Sequence, residues 1–404
     1  MKQVIIIGGG AAGYFAACNI AKKNPKLQVT ILEKTSKVLS KVKVSGGGRC
    51  NVTNARDKVG ELVKFYPRGQ KKLYKPLQQF GTDDMVKWLS ERGVKTKTEP
   101  DLRMFPQSNS SQTVIDCFEG ECEKHGVKIL RNCSVKSLKM AKDGTWIIEA
   151  NEKEFKAGSV IIATGSSNAF WEKLRQLGLK INSPVPSLFT FNISDQRLKD
   201  LPGISFQNVG IKITKTRFET NGPLLITHWG LSGPAVLKLS AFAARELEKL
   251  NYKFSILVNF FPGSKPQGLV DFFQEKKLTN PNKFITKYSF QEIPNRYWAR
   301  LLDVCNISAD QTFGELSNKA INKLTEELTQ AKFGVSGKST FKEEFVTCGG
   351  VDISEVNLET MQSKNHPGLY FAGEVLDIDA LTGGFNFQAC WTTGWLVSEA
   401  ITSQ

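Results

Sequence analysis

The chain has 404 residues, 40% of them hydrophobic and 23% charged, with a formal net charge of +15. That length predicts two or three domains with a sizeable core, and the lack of any apolar run near ~20 residues excludes a membrane-spanning helix. The basic excess speaks about partners rather than fold: nucleic acid is the first candidate and a small anionic substrate the second.

Taken in order, the chain opens on Val4-Ile5-Ile6-Ile7, a β-branched apolar run. Gly8, Gly10 and Gly13 follow in G-x-G-x-x-G spacing and lead into a helical pattern. The spacing predicts a buried parallel strand, a tight turn and a helix whose free N–H groups can hold a pyrophosphate. A second apolar run, Val29–Leu32, ends in Glu33, about twenty residues past the third glycine, where an acidic group meets a ribose 2′-OH. Residues 1–20 are used by this nucleotide fold and lack a signal-peptide layout, so a cytoplasmic protein is expected.

A lysine-rich stretch, Lys34–Lys43, precedes Ser45-Gly46-Gly47-Gly48-Arg49-Cys50-Asn51. Three glycines beside Ser, Arg and Asn suit a loop pressed against a polyanionic or planar ligand, because backbone donors can approach without a Cβ in the way. Over 64–80, Lys64, Arg68, Lys71, Lys72 and Lys75 interleave with Phe65, Tyr66, Tyr74 and Phe80. That mixture suits phosphate contacts with base stacking; its alternative is an amphipathic face whose aromatics are core. Helices are predicted over Asp83–Arg92 and Ser111–His125, strands over Val127–Leu130 and Val135–Leu138, and a hairpin arm over Trp146–Ala150 and Glu154–Lys156. Ser159–Ile162 reads as a second buried strand, ending in Ala163-Thr164-Gly165. No second G-x-G-x-x-G is present, so no dedicated nicotinamide-cofactor domain is expected.

From Ser187 the pattern changes to alternating strands, over Ser187–Ile193, Gly210–Thr216, Leu224–Ile226 and Tyr252–Phe260, with a helix at Val236–Leu250. Helices are predicted near 266–278, 295–304 and 312–331. The expected organisation is a discontinuous nucleotide-binding domain, 1–186 and 346–404, with an inserted β-domain at 187–265 and a helical part at 266–345. The last stretch returns to the first texture. Phe345–Val351 and Gly368–Phe371 read as strands, the second running into Gly373-Glu374. Gly383-Gly384-Phe385-Asn386-Phe387-Gln388 then leads into an apolar helix at Ala389–Ile401. The eight cysteines (Cys18, Cys50, Cys117, Cys122, Cys133, Cys305, Cys348 and Cys390) have neither C-x-x-C nor metal-ligand spacing. Reduced thiols and no metal site are expected.

The motifs SGGGRCN-x-TN, TH-x-GLSGP and SK-x-x-PGLYFAGE-x-LD with GGFN-x-Q resemble the BaiN/RdsA, or YhiN-like, family of FAD-dependent oxidoreductases, across nearly the whole chain. The resemblance implies an α/β fold: a glutathione-reductase-type, Rossmann-like FAD-binding domain interrupted by a β-domain and a small helical domain. It implies non-covalent FAD, because no His or Cys sits in a flavinylation motif, with NAD(P)H as a possible electron donor. By that resemblance Gly8, Gly10, Ala12 and Gly13 hold the pyrophosphate and Glu33 the adenosine ribose. Ser45, Gly46, Gly48, Arg49 and Asn51 lie along the flavin, and Thr164 and Gly165 approach the adenine half. Gly373, Glu374 and Asp377 meet the ribityl–phosphate region, and Gly384, Asn386 and Gln388 the isoalloxazine. One departure is Ser166-Ser167-Asn168-Ala169-Phe170-Trp171, where many members carry G-S-T-G-D-G-Y.

The family is linked to reduction of a uridine in 23S rRNA to dihydrouridine, to oxidation of small amines and to redox steps on steroid-like acids. With the basic excess, the first is the leading expectation, with 23S rRNA or its precursor as partner. A small-metabolite oxidase or reductase and a non-catalytic FAD-bound RNA-binding module are the alternatives. Reduction at C6 of uracil requires a proton at C5. Cys50, inside the glycine loop, is the first candidate acid and His228, in the TH-x-GLSGP loop, the second.

Overall fold

The structure, a computed structural model, describes residues 2–288, 290–339 and 346–403. The chain forms two compact units, Met1–Val185 with Val346–Gln404, and Pro186–Phe345.

The first unit is built on β1 (Gln3–Ile7). Val4, Ile5, Ile6 and Ile7 are at most 4% exposed, as a parallel strand covered on both faces requires. Four strands join it in parallel. β2 (Gln28–Leu32) and β3 (Lys128–Leu130) lie to one side, and β4 (Ser159–Ile162) and β5 (Leu369–Phe371) to the other. The order is β5–β4–β1–β2–β3, extended beyond β5 by the short antiparallel strands Gln362–Ser363 and Val356–Asn357. Ile7 pairs with Leu32 and with Ile162, and Ile162 with Phe371, so four strands end along one edge. The loops that follow therefore gather at that edge, where open α/β sheets bind ligands.

Two helices share a face of this sheet: α1 (Ala11–Lys23) and α2 (Phe385–Thr402). They approach closely at Gly394, where a Cβ would sit 3.1 Å from the Ala12 carbonyl oxygen. Phe15 of α1 packs against Phe80, Trp88, Phe118 and Trp391, with ring centroids 5.0–6.3 Å apart. Burial of each such ring contributes up to about 3 kcal/mol. This cluster decides the reading of 64–80. Tyr66 and Phe80 are buried, Phe65 stacks on Phe385 at 4.4 Å, and Phe80 stacks on Trp395 at 4.8 Å. Three of the four aromatics are therefore core, and only Tyr74, 43% exposed, is left for a partner. The helix expected from Ala389 begins earlier, at Phe385, because Gly384 supplies the left-handed turn before it. The strand expected from Phe345 is seen over Val346–Val351; Phe345 itself lies outside the described residues.

The second unit is a seven-stranded antiparallel sheet with helices. Its strands, in spatial order, are Ala331–Val335, Phe254–Asn259, Ser205–Ile213, Glu219–Thr227, Gly230–Ser232, Thr190–Asn192 and Gly337–Ser339. The expected division into a β-domain and a helical part at 266–345 is corrected here. Ala331–Val335 and Gly337–Ser339 return to the sheet as its two edges, and helix Asn295–Val304 buries Tyr297 and Trp298 in the same core as Phe206 and Val258. The Ser187–Ile193 strand is also broken: Leu188 takes a φ of 56°, which separates Ile181–Ser187 from Thr190–Asn192. The helix expected over Val236–Leu250 is two helices, Pro234–Phe242 and Ala244–Lys249.

Candidate dinucleotide and flavin cradle

The turn after β1 is set by contacts that only glycine allows. Gly8 has φ 113°, and a Cβ there would lie 2.4 Å from the Ala163 carbonyl oxygen at the end of β4. A Cβ on Gly13 would lie 2.1 Å from the Gly8 oxygen. Gly10 differs: the space where its Cβ would stand holds no atom within 4 Å. It is the N-cap of α1, without a side-chain capping bond, so the helix presents uncapped N–H donors toward open space. Glu33, at the end of β2, is fixed from two sides. Its Oε2 accepts from the Gly9 N–H at 2.9 Å, and its Oε1 from the Thr35 N–H and hydroxyl at 2.8 Å. Oε2, which accepts one bond, keeps a lone pair for a ribose hydroxyl.

Two turns from other strands meet this one. Gly373 has φ 76°, with its Cβ position 2.9 Å from Ala12 Cβ, and its N–H donates to Thr393 Oγ1 at 2.9 Å. Glu374 pairs with Lys41, and its Oε2 lies 3.8 Å from the Cβ position of Gly165. Ala12, Gly165, Gly373 and Glu374 are thus brought together as expected neighbours. Two buried oxygens at this edge have no partner among the described residues: Thr164 Oγ1 and Asp377 Oδ1. Asp377 is held through its other oxygen, which accepts from Asn182 Nδ2 at 2.7 Å. Buried polar atoms are rarely left unsatisfied, so both oxygens fit a ligand rich in hydroxyls and phosphates. The departing stretch 166–171 has a packing role. Phe170 and Trp171 are buried, and Trp171 Nε1 donates to the Val375 carbonyl at 3.0 Å.

The second glycine loop is a kink in helix Ser40–Gly48. Helical geometry fails at Ser45 (ψ 149°), and Gly46, Gly47, Gly48 and Cys50 all take positive φ. Gly46 lies against the Phe105 ring, whereas the Cβ positions of Gly47 and Gly48 are open. Arg49 clamps the loop: its guanidinium lies 4.0 Å from the Phe105 ring centroid, pairs with Glu99 at 2.6 Å and donates to the Gly46 carbonyl at 3.3 Å. Cys50 is wholly buried, and that burial pushes its thiol up to about 12. With Arg49 committed to Glu99, no cation favours the thiolate.

This loop is joined to the turn before α2. The Asn51 amide, turned so that its nitrogen faces carbonyls, donates to Thr53 and Met104 and accepts from the Gly384 N–H at 2.9 Å. Asn54 Nδ2 donates to the Gly383 carbonyl at 3.0 Å, and Trp391 Nε1 to the Val52 carbonyl at 2.9 Å. Gln388 is fully buried, accepting from Thr53 Oγ1 at 2.6 Å and donating to Phe80 and Thr392; Asn386 closes back on both backbone groups of Ala380. These two amides fix the turn's shape, and what the turn offers a planar ligand is backbone. Behind it lies an ion pair between half-buried Arg68 and buried Asp379, a link that the sequence reading missed. His228 is in the other unit, in the turn between Glu219–Thr227 and Gly230–Ser232. It is exposed and lines a cleft of about 450 Å³ with Asp195, Lys199 and Trp229. The cysteines are free, no cluster of potential metal ligands occurs among the described residues, and no helix there is long and apolar enough to cross a membrane.

The geometry can be set beside known proteins. The chain is 27% identical to a ribosomal RNA dihydrouridine synthase of Haemophilus influenzae, with 100% of this chain and 99% of the relative covered. It is 30% identical to the protein of the same name from Escherichia coli, covering 98% and 97%. It is 26% identical to a 3-dehydro-bile acid delta(4,6)-reductase of Clostridium scindens, covering 99% of each. Among solved structures, a 3-ketosteroid delta1-dehydrogenase from Sterolibacterium denitrificans superposes with a TM-score of 0.52 at 11% identity over 100% of both chains. A 3-ketosteroid-delta4-(5alpha)-dehydrogenase from Rhodococcus jostii gives 0.50 at 13% identity, over 98% of this chain and 97% of that one. These two share the fold. The family model described as the HI0933-like protein Rossmann domain matches residues 2–400, and the chain belongs to that family.

Proposed function

We propose that the protein binds FAD and reduces a uridine of 23S rRNA to dihydrouridine. At the coarser level it is a flavin-dependent oxidoreductase. The observation that carries the finer reading is similarity over essentially the full length to two proteins named as ribosomal RNA dihydrouridine synthases. The net charge of +15 supports a polyanionic partner.

When bound, FAD supplies hydride transfer at its flavin ring. The chain's part is to hold and orient it: the α1 N-terminus and Gly10 for the pyrophosphate, Glu33 for the ribose, Thr164 and Asp377 for buried hydroxyls, and the Gly47–Gly48 backbone beside the flavin. The proton for C5 falls to Cys50 or His228. Cys50 keeps its proton at neutral pH but is sealed under the loop, and a thiol near 12 is a weak acid. His228 is the other candidate, exposed on a turn. NAD(P)H is the proposed electron donor.

The test is the dihydrouridine content of 23S rRNA from cells with and without the gene, with purified protein added back. Unchanged content and no activity on stripped rRNA would sink this reading. The Clostridium scindens relative favours a second one, reduction of an unsaturated steroid-like acid, read out as turnover of such substrates in the same assay.

A further inference from the structure

A groove of about 920 Å³ lies between the segment 70–76 and the turn 353–359 of the first unit. Its floor is apolar, with Pro76, Val356 and Leu358. Its rim carries Lys71, Lys72, Lys75 and Lys364 against one carboxylate, Glu359. The four lysines are exposed, and none has a carboxylate within 4 Å among the described residues. Tyr74, the exposed aromatic of this segment, stands in the same lining. We infer that this groove takes a single-stranded stretch of the RNA substrate, phosphates on the lysine rim and a base on the Tyr74 ring, an inference that rests on the RNA reading above.

Charge and shape argue for that occupant. A lysine rim over an apolar floor matches a strand whose outer edge is anionic and whose bases are planar and poorly solvated. Duplex RNA would bring phosphate to the rim but leave the floor and Tyr74 uncovered. The groove is also tied to the flavin cradle. The lining segment that begins at Gln70 directly follows Arg68, paired with Asp379, and Gly69, whose Cβ position lies 3.2 Å from Ile378. Both partners belong to the loop that runs from Asp377 to Gly384. A strand held there is anchored next to the turn that leads to the cofactor, which suits an enzyme that must draw one base out of its stack.

The test uses flavin-loaded protein and protein-free 23S rRNA from cells lacking the gene, with binding measured across salt and dihydrouridine in parallel. The groove variant carries Lys71→Glu, Lys72→Glu and Lys75→Glu. A control carries Lys136→Glu, Lys142→Glu and Lys153→Glu, exposed positions on or beside the hairpin arm. The groove variant should lose at least about tenfold in affinity beyond the control, with the salt slope reduced by about 2. Tyr74→Ala should lose about tenfold without changing the slope. Equal losses in groove and control variants, or none, overturn the groove. If wild-type protein forms dihydrouridine while the groove variant binds and turns over normally, the groove falls and the RNA reading stands. If wild-type protein binds rRNA through the groove without forming dihydrouridine, the groove stands and the reaction falls. No binding by wild-type protein overturns both.

Discussion

Gly384 stands so close to Thr53 that a Cβ on it would lie 2.4 Å from the Thr53 carbonyl oxygen. Residues 331 positions apart are thereby locked into one surface, with the glycine loop on one side and the start of α2 on the other. The obstacle is backbone, and Gly384 has φ 91°, so Gly384→Ala adds strain of about 1–2 kcal/mol to a clash that cannot be relieved by a rotamer change. The variant should lose stability by more than about 2 kcal/mol and be purified without flavin. Absorbance of the isolated protein and urea unfolding measure both.

Glycines of the first turn should separate by phenotype. Gly10 faces open space at an ordinary φ of −92°, so Gly10→Val should leave the apoprotein's melting temperature near wild type while abolishing FAD binding. Gly13→Ala forces a Cβ to 2.1 Å from the Gly8 oxygen and should lower the melting temperature of the apoprotein itself. Thermal scans with and without added FAD distinguish them. Equal destabilisation by both would mean that Gly10 is also a packing glycine.

These contrasts show what could be read before the fold was known. The G-x-G-x-x-G turn, Glu33 and the strand ends at Thr164 and Gly373 carry their signals locally, in β-branched runs that stop at small residues. Gln388 and Asn386 were legible as site candidates but not in what they do structurally, because only the fold shows that the Thr53 hydroxyl and the Ala380 N–H donate to them. Arg68 and Asp379 are 311 residues apart and share no pattern, so their pairing had no signal at all. The aromatics at 65–80 could be read as core or as a stacking surface, since alternation with lysines marks an amphipathic segment without saying what covers its apolar side. The strand Ala331–Val335 was absorbed into the helical part assigned to 266–345, although the helix ends at Thr329 and the alternation Ala331, Phe333, Val335 is buried.

Buried thiols set an alkaline limit on stability. Burial raises both Cys50 and Cys390 from an ordinary 9.0 to about 12. Below about pH 9 both are protonated in the folded and unfolded chain alike, and their effect on stability is constant. Between about 9 and about 12 the unfolded chain releases these protons and the folded chain keeps them, so stability falls as pH rises through that window. Cys50→Ala should make the fall shallower without changing its onset. Urea midpoints measured on either side of about pH 9 give the slope, and an unchanged slope would mean that Cys50 is solvated in solution.

The same burial bears on the proton at C5. A positioned acid contributes roughly 10²–10⁴-fold, and it must reach the substrate. His228 is exposed on a turn, whereas Cys50 is sealed beneath the glycine loop with its N–H on the Ser45 carbonyl at 3.0 Å. If His228 is the acid, His228→Ala should keep FAD, allow its reduction by an artificial donor and slow dihydrouridine formation within that range. Cys50→Ala should keep FAD and a near-wild-type rate. The deciding measurement is single-turnover reoxidation of the reduced flavin by stripped rRNA. A normal rate in His228→Ala with a loss in Cys50→Ala would reverse the assignment and require the Gly46–Gly48 loop to open when RNA binds.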